Sequence, residues 1–212
     1  MLMSSSKYQV PLLEKHTPFY FEETIKGSRF IARIIFSPTV EDAKSFIKKL
    51  NIDEPDATHH CWAYIIGNPN STTLLACSDD GEPSGTAGMP MLNVLKHSGV
   101  GDITAVVTRY YGGTKLGTGG LARAYGGSVK QAIDKLSIGE KILTTKIRLT
   151  TSYDTQSQIE YLLKEVNAEI FDTQFSGNIC ISANLPVDNI DTFLNSIKMY
   201  QNKTQLTVEL DP

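Results

Sequence analysis

Hydrophobic and polar positions change period often enough along this chain to mark individual elements. Thr17–Thr24 and Ser28–Phe36 read as a hairpin around Lys26-Gly27. An amphipathic helix, Val40–Leu50, follows, with Val40, Ala43, Phe46, Ile47 and Leu50 on one face. Strands are expected at His59–Ile66 and Thr73–Ser78, a short helix at Pro90–His97 and a strand at Ile103–Tyr111. The loop Gly112–Gly120 then feeds a helix, Leu121–Leu136. Beyond it, Lys141–Ser152 alternates as a strand, and Asp154 is the expected N-cap of a helix carrying Ile159, Leu162, Leu163 and Val166. Ala168–Phe175 and Asn178–Leu185 form a hairpin pattern across Ser176-Gly177. Val187–Tyr200 is helical, with Ile190, Phe193, Leu194 and Ile197 on one face, and Thr204–Leu210 closes as a strand. The expected class is α+β in two domains, residues 1–140 and 141–212. The second has the order β-α-β-β-α-β, the ferredoxin-like plan.

Composition locates the chemistry. Of 16 glycines, 12 fall between Gly81 and Gly127, so that stretch is where function is sought. Net charge is −3, which excludes a bulk cationic field for nucleic acid or membrane. Residues 96–135 nevertheless carry six Lys/Arg against two Asp/Glu, a local basic surface inside an acidic chain. The apolar runs fall short of a membrane span, and the first residues lack the pattern of a signal peptide. Cys61, Cys77 and Cys180 are widely spaced and odd in number, as expected of reduced thiols in a cytoplasm.

Candidate binding residues cluster in two glycine-rich loops. Gly112, Gly113, Thr114, Lys115, Gly117, Thr118, Gly119 and Gly120 precede a helix, where backbone N–H groups can receive an anion at close approach. Arg109 and Arg123 flank them, and Tyr110, Tyr111 and Tyr125 either stack unpaired bases or belong to the fold, one strand tyrosine packing inward while the other covers the domain edge. Tight turns without a ligand are the competing reading of such loops. The arrangement lacks GxxxxGK[ST], and Gly117-x-Gly119-x-x-Ala122 stands outside any run of parallel βαβ units, so neither nucleotide fingerprint applies. Asp79, Asp80, Glu82, Ser84 and Thr86 form a second surface. Its carboxylates fit turn chemistry better than a Mg²⁺ site. In His59-His60-Cys61-Trp62, strand alternation puts His59 and Cys61 on one face and His60 and Trp62 on the other, at most two ligands per face and too few for a closed zinc site. No metal or cofactor is expected.

Val107–Gly126 (VTRYYGGTKLGTGGLARAYG) resembles the signature of the YigZ/IMPACT family, and Asp79–Gly88 (DDGEPSGTAG) and His59–Tyr64 (HHCWAY) fit the same family. The resemblance covers nearly the whole chain; Tyr111 stands where many members have phenylalanine. It implies an N-terminal domain of the ribosomal-protein-like βαβ superfold, similar to domain IV of elongation factor G. It also implies a C-terminal ferredoxin-like domain similar to that factor's domain V. Eukaryotic members act in translational control by competing for the activator of an initiation-factor kinase, a pathway that bacteria lack. What carries over is a non-catalytic role linked to translation, with RNA, the ribosome or a translation factor as partner. The alternative is an enzyme for a phosphorylated small molecule or nucleotide, with Mg²⁺ on Asp79, Asp80 and Glu82.

Overall fold

Residues 6–14, 17–70, 74–201 and 206–210 are described by the computed structural model, in which the chain divides into two units, Met1–Lys141 and Ile142–Pro212. The first runs β1 (Lys7–Pro11), β2 (Phe19–Ile25), β3 (Ser28–Phe36), α1 (Val40–Asp53), β4 (His59–Ile66), β5 (Leu74–Ser78), α2 (Gly88–Ser98), β6 (Ile103–Tyr110), α3 (Thr118–Asp134) and β7 (Ile138–Ile142). Lys26 and Gly27 have φ of 49° and 86°, so the two-residue link between Ile25 and its partner Ser28 has the positive φ pair of a type I′ turn. It folds β2 onto β3 and starts an antiparallel five-stranded sheet of order β2-β3-β6-β4-β5.

Alternation along these strands sorts the side chains onto two faces. Phe30, Ala32 and Ile34, Cys61, Ala63 and Ile65, and Ile103, Ala105 and Val107 share a buried core with Met91 and Leu95 of α2 and Tyr125 and Val129 of α3. On the opposite face α1 covers only part of the sheet, with Ala43 against Tyr64 and Ile66. Thr39 caps α1: its hydroxyl accepts the Asp42 N–H at 3.1 Å and donates to the Asp42 carboxylate at 2.6 Å.

The strand expected over Lys141–Ser152 is two strands. β7 pairs with β1 in a separate ribbon, whereas β8 (Thr144–Thr151) belongs to the second unit's sheet. Alternation continues through both and so hides the change of ladder. Buried Asp102, at φ 48°, anchors this ribbon. Its carboxylate accepts from Tyr8 Oη (2.8 Å), Gly67 N (2.7 Å) and Lys141 Nζ (2.6 Å). Helix α3 begins at Thr118, three residues before the expected Leu121.

The second unit continues with α4 (Gln156–Glu165), β9 (Glu169–Phe175), β10 (Ile179–Pro186), α5 (Ile190–Gln201) and β11 (Thr207–Leu210). Its sheet is antiparallel in the order β11-β8-β10-β9. Ile159 and Leu163 of α4 and Phe193 and Ile197 of α5 pack with Ile147, Leu149, Ile179 and Ile181 in one core. Asp154 does not cap α4. It lies in a 3₁₀ turn, Tyr153–Thr155, and α4 starts without a side-chain cap bond. The expected strand starts at Thr73 and Thr204 lie outside the described residues. Among the described residues no helix is long and apolar enough to cross a membrane.

Candidate functional site: two loops beside the central strand

The carboxylates of the first loop are each engaged by the fold. Asp79 Oδ1 accepts the Ala87 and Gly88 N–H groups, both at 2.9 Å, and Oδ2 accepts that of Gly85 at 2.8 Å. Burial alone would raise the Asp79 pKa; the N–H groups of Gly85, Ala87, Gly88 and Thr86 outweigh it and hold the carboxyl below its usual range. Asp80 Oδ2 accepts the His60 N–H at 2.6 Å, and its carbonyl accepts His59 Nδ1–H at 2.7 Å. Glu82 turns inward, where Oε1 accepts from Arg109 Nη1 at 2.6 Å and Tyr125 Oη at 2.7 Å. Buried Thr86 donates to the Pro83 carbonyl at 2.7 Å, and Ser84 is exposed. Among the described residues no three His, Cys, Asp or Glu side chains converge to hold a metal ion.

Arg109 is therefore a core residue and not a surface cation. It is 5% exposed, and its guanidinium lies between the Phe30 and Tyr111 rings, 5.4 and 5.3 Å from their centroids. Nη2 reaches Ser28 Oγ at 3.2 Å. Alternation explains its position: Ile103, Ala105 and Val107 share its face, so the side chain enters the core and needs Glu82 there. His59 and Cys61 share that face, while His60 and Trp62 occupy the other. Burial pushes the Cys61 thiol pKa up, away from a reactive thiolate.

The second loop has a packed half and an open half. A Cβ at Gly112 would lie 2.3 Å from the Gly27 carbonyl oxygen, and one at Gly113 2.2 Å from that of Lys26. These two glycines let the loop seat on the β2–β3 turn, where Thr114 N–H donates to the Lys26 carbonyl at 3.1 Å. From Thr114 onward the chain is open: Thr114, Lys115, Gly117, Thr118, Gly119 and Arg123 are exposed, and Gly120 is half-buried. The first turn of α3 has neither a side-chain cap bond nor an acidic residue. Lys115 and Arg123 form no ion pair among the described residues. Beside this turn, Lys26, Leu116, Gly120 and Arg123 line a shallow pocket of about 210 Å³. The local charge and the bare helix start favour an anion here.

Residues 26–133, from that turn to the end of α3, match the family described as the Impact N-terminal domain. The chain is 44% identical over 176 residues to the IMPACT family member YigZ of Escherichia coli K12, covering 83% of this chain and 86% of that protein. The chain belongs to the IMPACT family. Protein IMPACT of Xenopus laevis is 33% identical over 110 residues, half of this chain and 35% of that one. A crystal structure of a hypothetical protein, 39% identical, superposes with a TM-score of 0.68 over 96% of both chains.

The IMPACT-family region holds both loops, but the structure divides the residues that the sequence grouped. Thr114, Lys115, Thr118 and Arg123 lie in the open half, and Tyr111 is 52% exposed above Arg109. Tyr110 points to the opposite sheet face, where its hydroxyl donates to Glu54 at 2.7 Å. Sequence reasoning missed Lys26, which joins the pocket through the β2–β3 turn, and Arg29, whose guanidinium lies 4.4 Å from the Tyr110 ring centroid. The pairing of Arg29 with Tyr110 across β3 and β6 depends on strand order, which local periodicity does not encode.

Proposed function

We propose that this chain is a non-catalytic cytoplasmic protein linked to translation, binding RNA, on or off the ribosome, through the open half of its second loop. The supporting observation is the pocket that Lys26 and Arg123 line beside the first turn of α3, which has no side-chain cap bond, with exposed Lys115 in the loop that leads into that turn. Phosphates meet these cations and backbone N–H groups, and such binding carries little sequence information. A ribosomal-protein-like first domain and a ferredoxin-like second domain, similar to domains IV and V of elongation factor G, fit this role. A translation factor bound with the RNA is the accompanying protein partner. The Mg²⁺-dependent alternative has less support, because Asp79, Asp80 and Glu82 direct their oxygens to backbone N–H groups, Arg109 and Tyr125.

RNA affinity measured against salt tests the proposal. Lys115→Ala/Arg123→Ala should weaken binding across sequences and flatten the log–log salt slope by about one for each phosphate that is no longer neutralised. Unchanged affinity and slope would refute it. A lysate pull-down with and without RNase distinguishes RNA-dependent from RNA-independent partners.

A further inference from the structure

The sheet face opposite α2 and α3 carries an arrangement that the loops do not explain. Beyond the edge of α1, this face presents Tyr20 of β2, Arg29 and Arg33 of β3, and Tyr110 of β6. Tyr20 is 51% exposed, and the Arg33 guanidinium lies 5.5 Å from its ring centroid. Arg29 is exposed over Tyr110. The rings are held from below: Glu54 accepts from both Arg33 and the Tyr110 hydroxyl, and Arg33 Nη1 donates to buried Thr108 at 2.9 Å. Tyr20 donates to Glu22, which also lies 3.9 Å from Arg29. Ile31, between these side chains on the same strand face, is only 3% exposed. The long side chains form a fixed cover over it.

We propose that this face is a base-stacking platform for single-stranded RNA whose phosphates reach the open half of the second loop. The proposal rests on the RNA-binding reading above and assigns the strandedness of the ligand. Tyr110 lies at the sheet end from which the second loop departs, and Tyr20 is displaced four strand residues along, about 13 Å. The separation provides places for two different bases, one on the half-exposed Tyr20 ring and one on the exposed Arg29 guanidinium that covers Tyr110. Lys26 and Arg123 line the pocket beside the second loop, and Arg29 is exposed at the Tyr110 end of the platform; these cations attract a polyanion to this end. A duplex keeps its bases stacked on one another and leaves no base face for Tyr20.

The test uses the full chain with a fluorescent oligouridylate, a fluorescent RNA duplex of equal length, and variants Tyr20→Ala, Tyr110→Phe and Arg29→Glu. Wild type should prefer the single strand. Tyr20→Ala, at a half-exposed position, should lose about tenfold in affinity for it and little for the duplex. Arg29→Glu should weaken the single strand at least as much, and Tyr110→Phe, which keeps the ring, should retain binding. Equal affinity for single strand and duplex would overturn the platform. So would a Tyr20→Ala variant that binds the single strand like wild type while Lys115→Ala/Arg123→Ala does not; the RNA-binding reading would then survive alone. Absence of any RNA binding by wild type would overturn both.

Discussion

The two glycine-rich loops flank one strand and look equally chemical, yet they use their charged groups in opposite ways. The first directs its carboxylates inward or onto its own backbone: Asp79 ties the loop to the start of α2, and Glu82 neutralises Arg109 in the core. The second leaves Lys115 and Arg123 in solvent beside an uncapped helix start. Residue types that suggest catalysis in one loop are structural, and those that suggest binding in the other are available to bind. Burial and hydrogen-bond partners make the distinction, because a charged group already satisfied by the fold has little left for a ligand.

The largest effect should come from breaking the inward pair. Glu82→Ala leaves Arg109 as an uncompensated buried charge, at a cost of about 3–5 kcal/mol in denaturant unfolding. A loss under about 1 kcal/mol would show that the pair does not organise the first loop. Next come the glycines under the second loop. Gly113→Ala adds a Cβ that meets the Lys26 carbonyl and sits at positive φ, so about 1–3 kcal/mol should be lost. Wild-type stability in that variant would mean that the loop can lift off the β2–β3 turn.

Asp79 gives a smaller, pH-dependent effect. Asp79→Ala should cost about 0.5–2 kcal/mol at neutral pH, as for a lost helix cap. Because the folded-state pKa is lowered, the stabilisation is complete above the ordinary value of 3.8 and lost as pH falls through the folded value. The difference between wild type and Asp79→Ala should therefore shrink in acid; a constant difference down to the acid limit would contradict this role. Smallest of all, Lys115→Ala should change stability by no more than about 0.5 kcal/mol. A marked drop in its melting temperature would place Lys115 in the structural group with Glu82.

Much of the fold was legible in the sequence for local reasons. Ser28–Phe36 and His59–Ile66 have the bounds that their apolar runs and flanking turns mark. The β-α-β-β-α-β order of the second unit follows from alternating periods. What escaped depends on distant partners. β1 and β7 find each other across most of the first unit, and buried Asp102 beside them carries no local signal. The candidate site was half legible. Gly112–Arg123 stands out by composition, but Arg109, expected to meet phosphate, follows the alternation of Ala105 and Val107 into the core. Glycine enrichment also could not separate Gly112 and Gly113, packed on the β2–β3 turn, from Gly117 and Gly119, which line the open stretch.

The most direct test of the difference between the loops is RNA affinity as a function of salt for wild type, Lys115→Ala/Arg123→Ala and Asp80→Asn. Wild-type binding should fall steeply with salt, and Asp80→Asn should keep the same slope. In Lys115→Ala/Arg123→Ala, binding should be weaker and the slope shallower by about two. A double variant that binds with wild-type affinity and slope would contradict the difference between the loops.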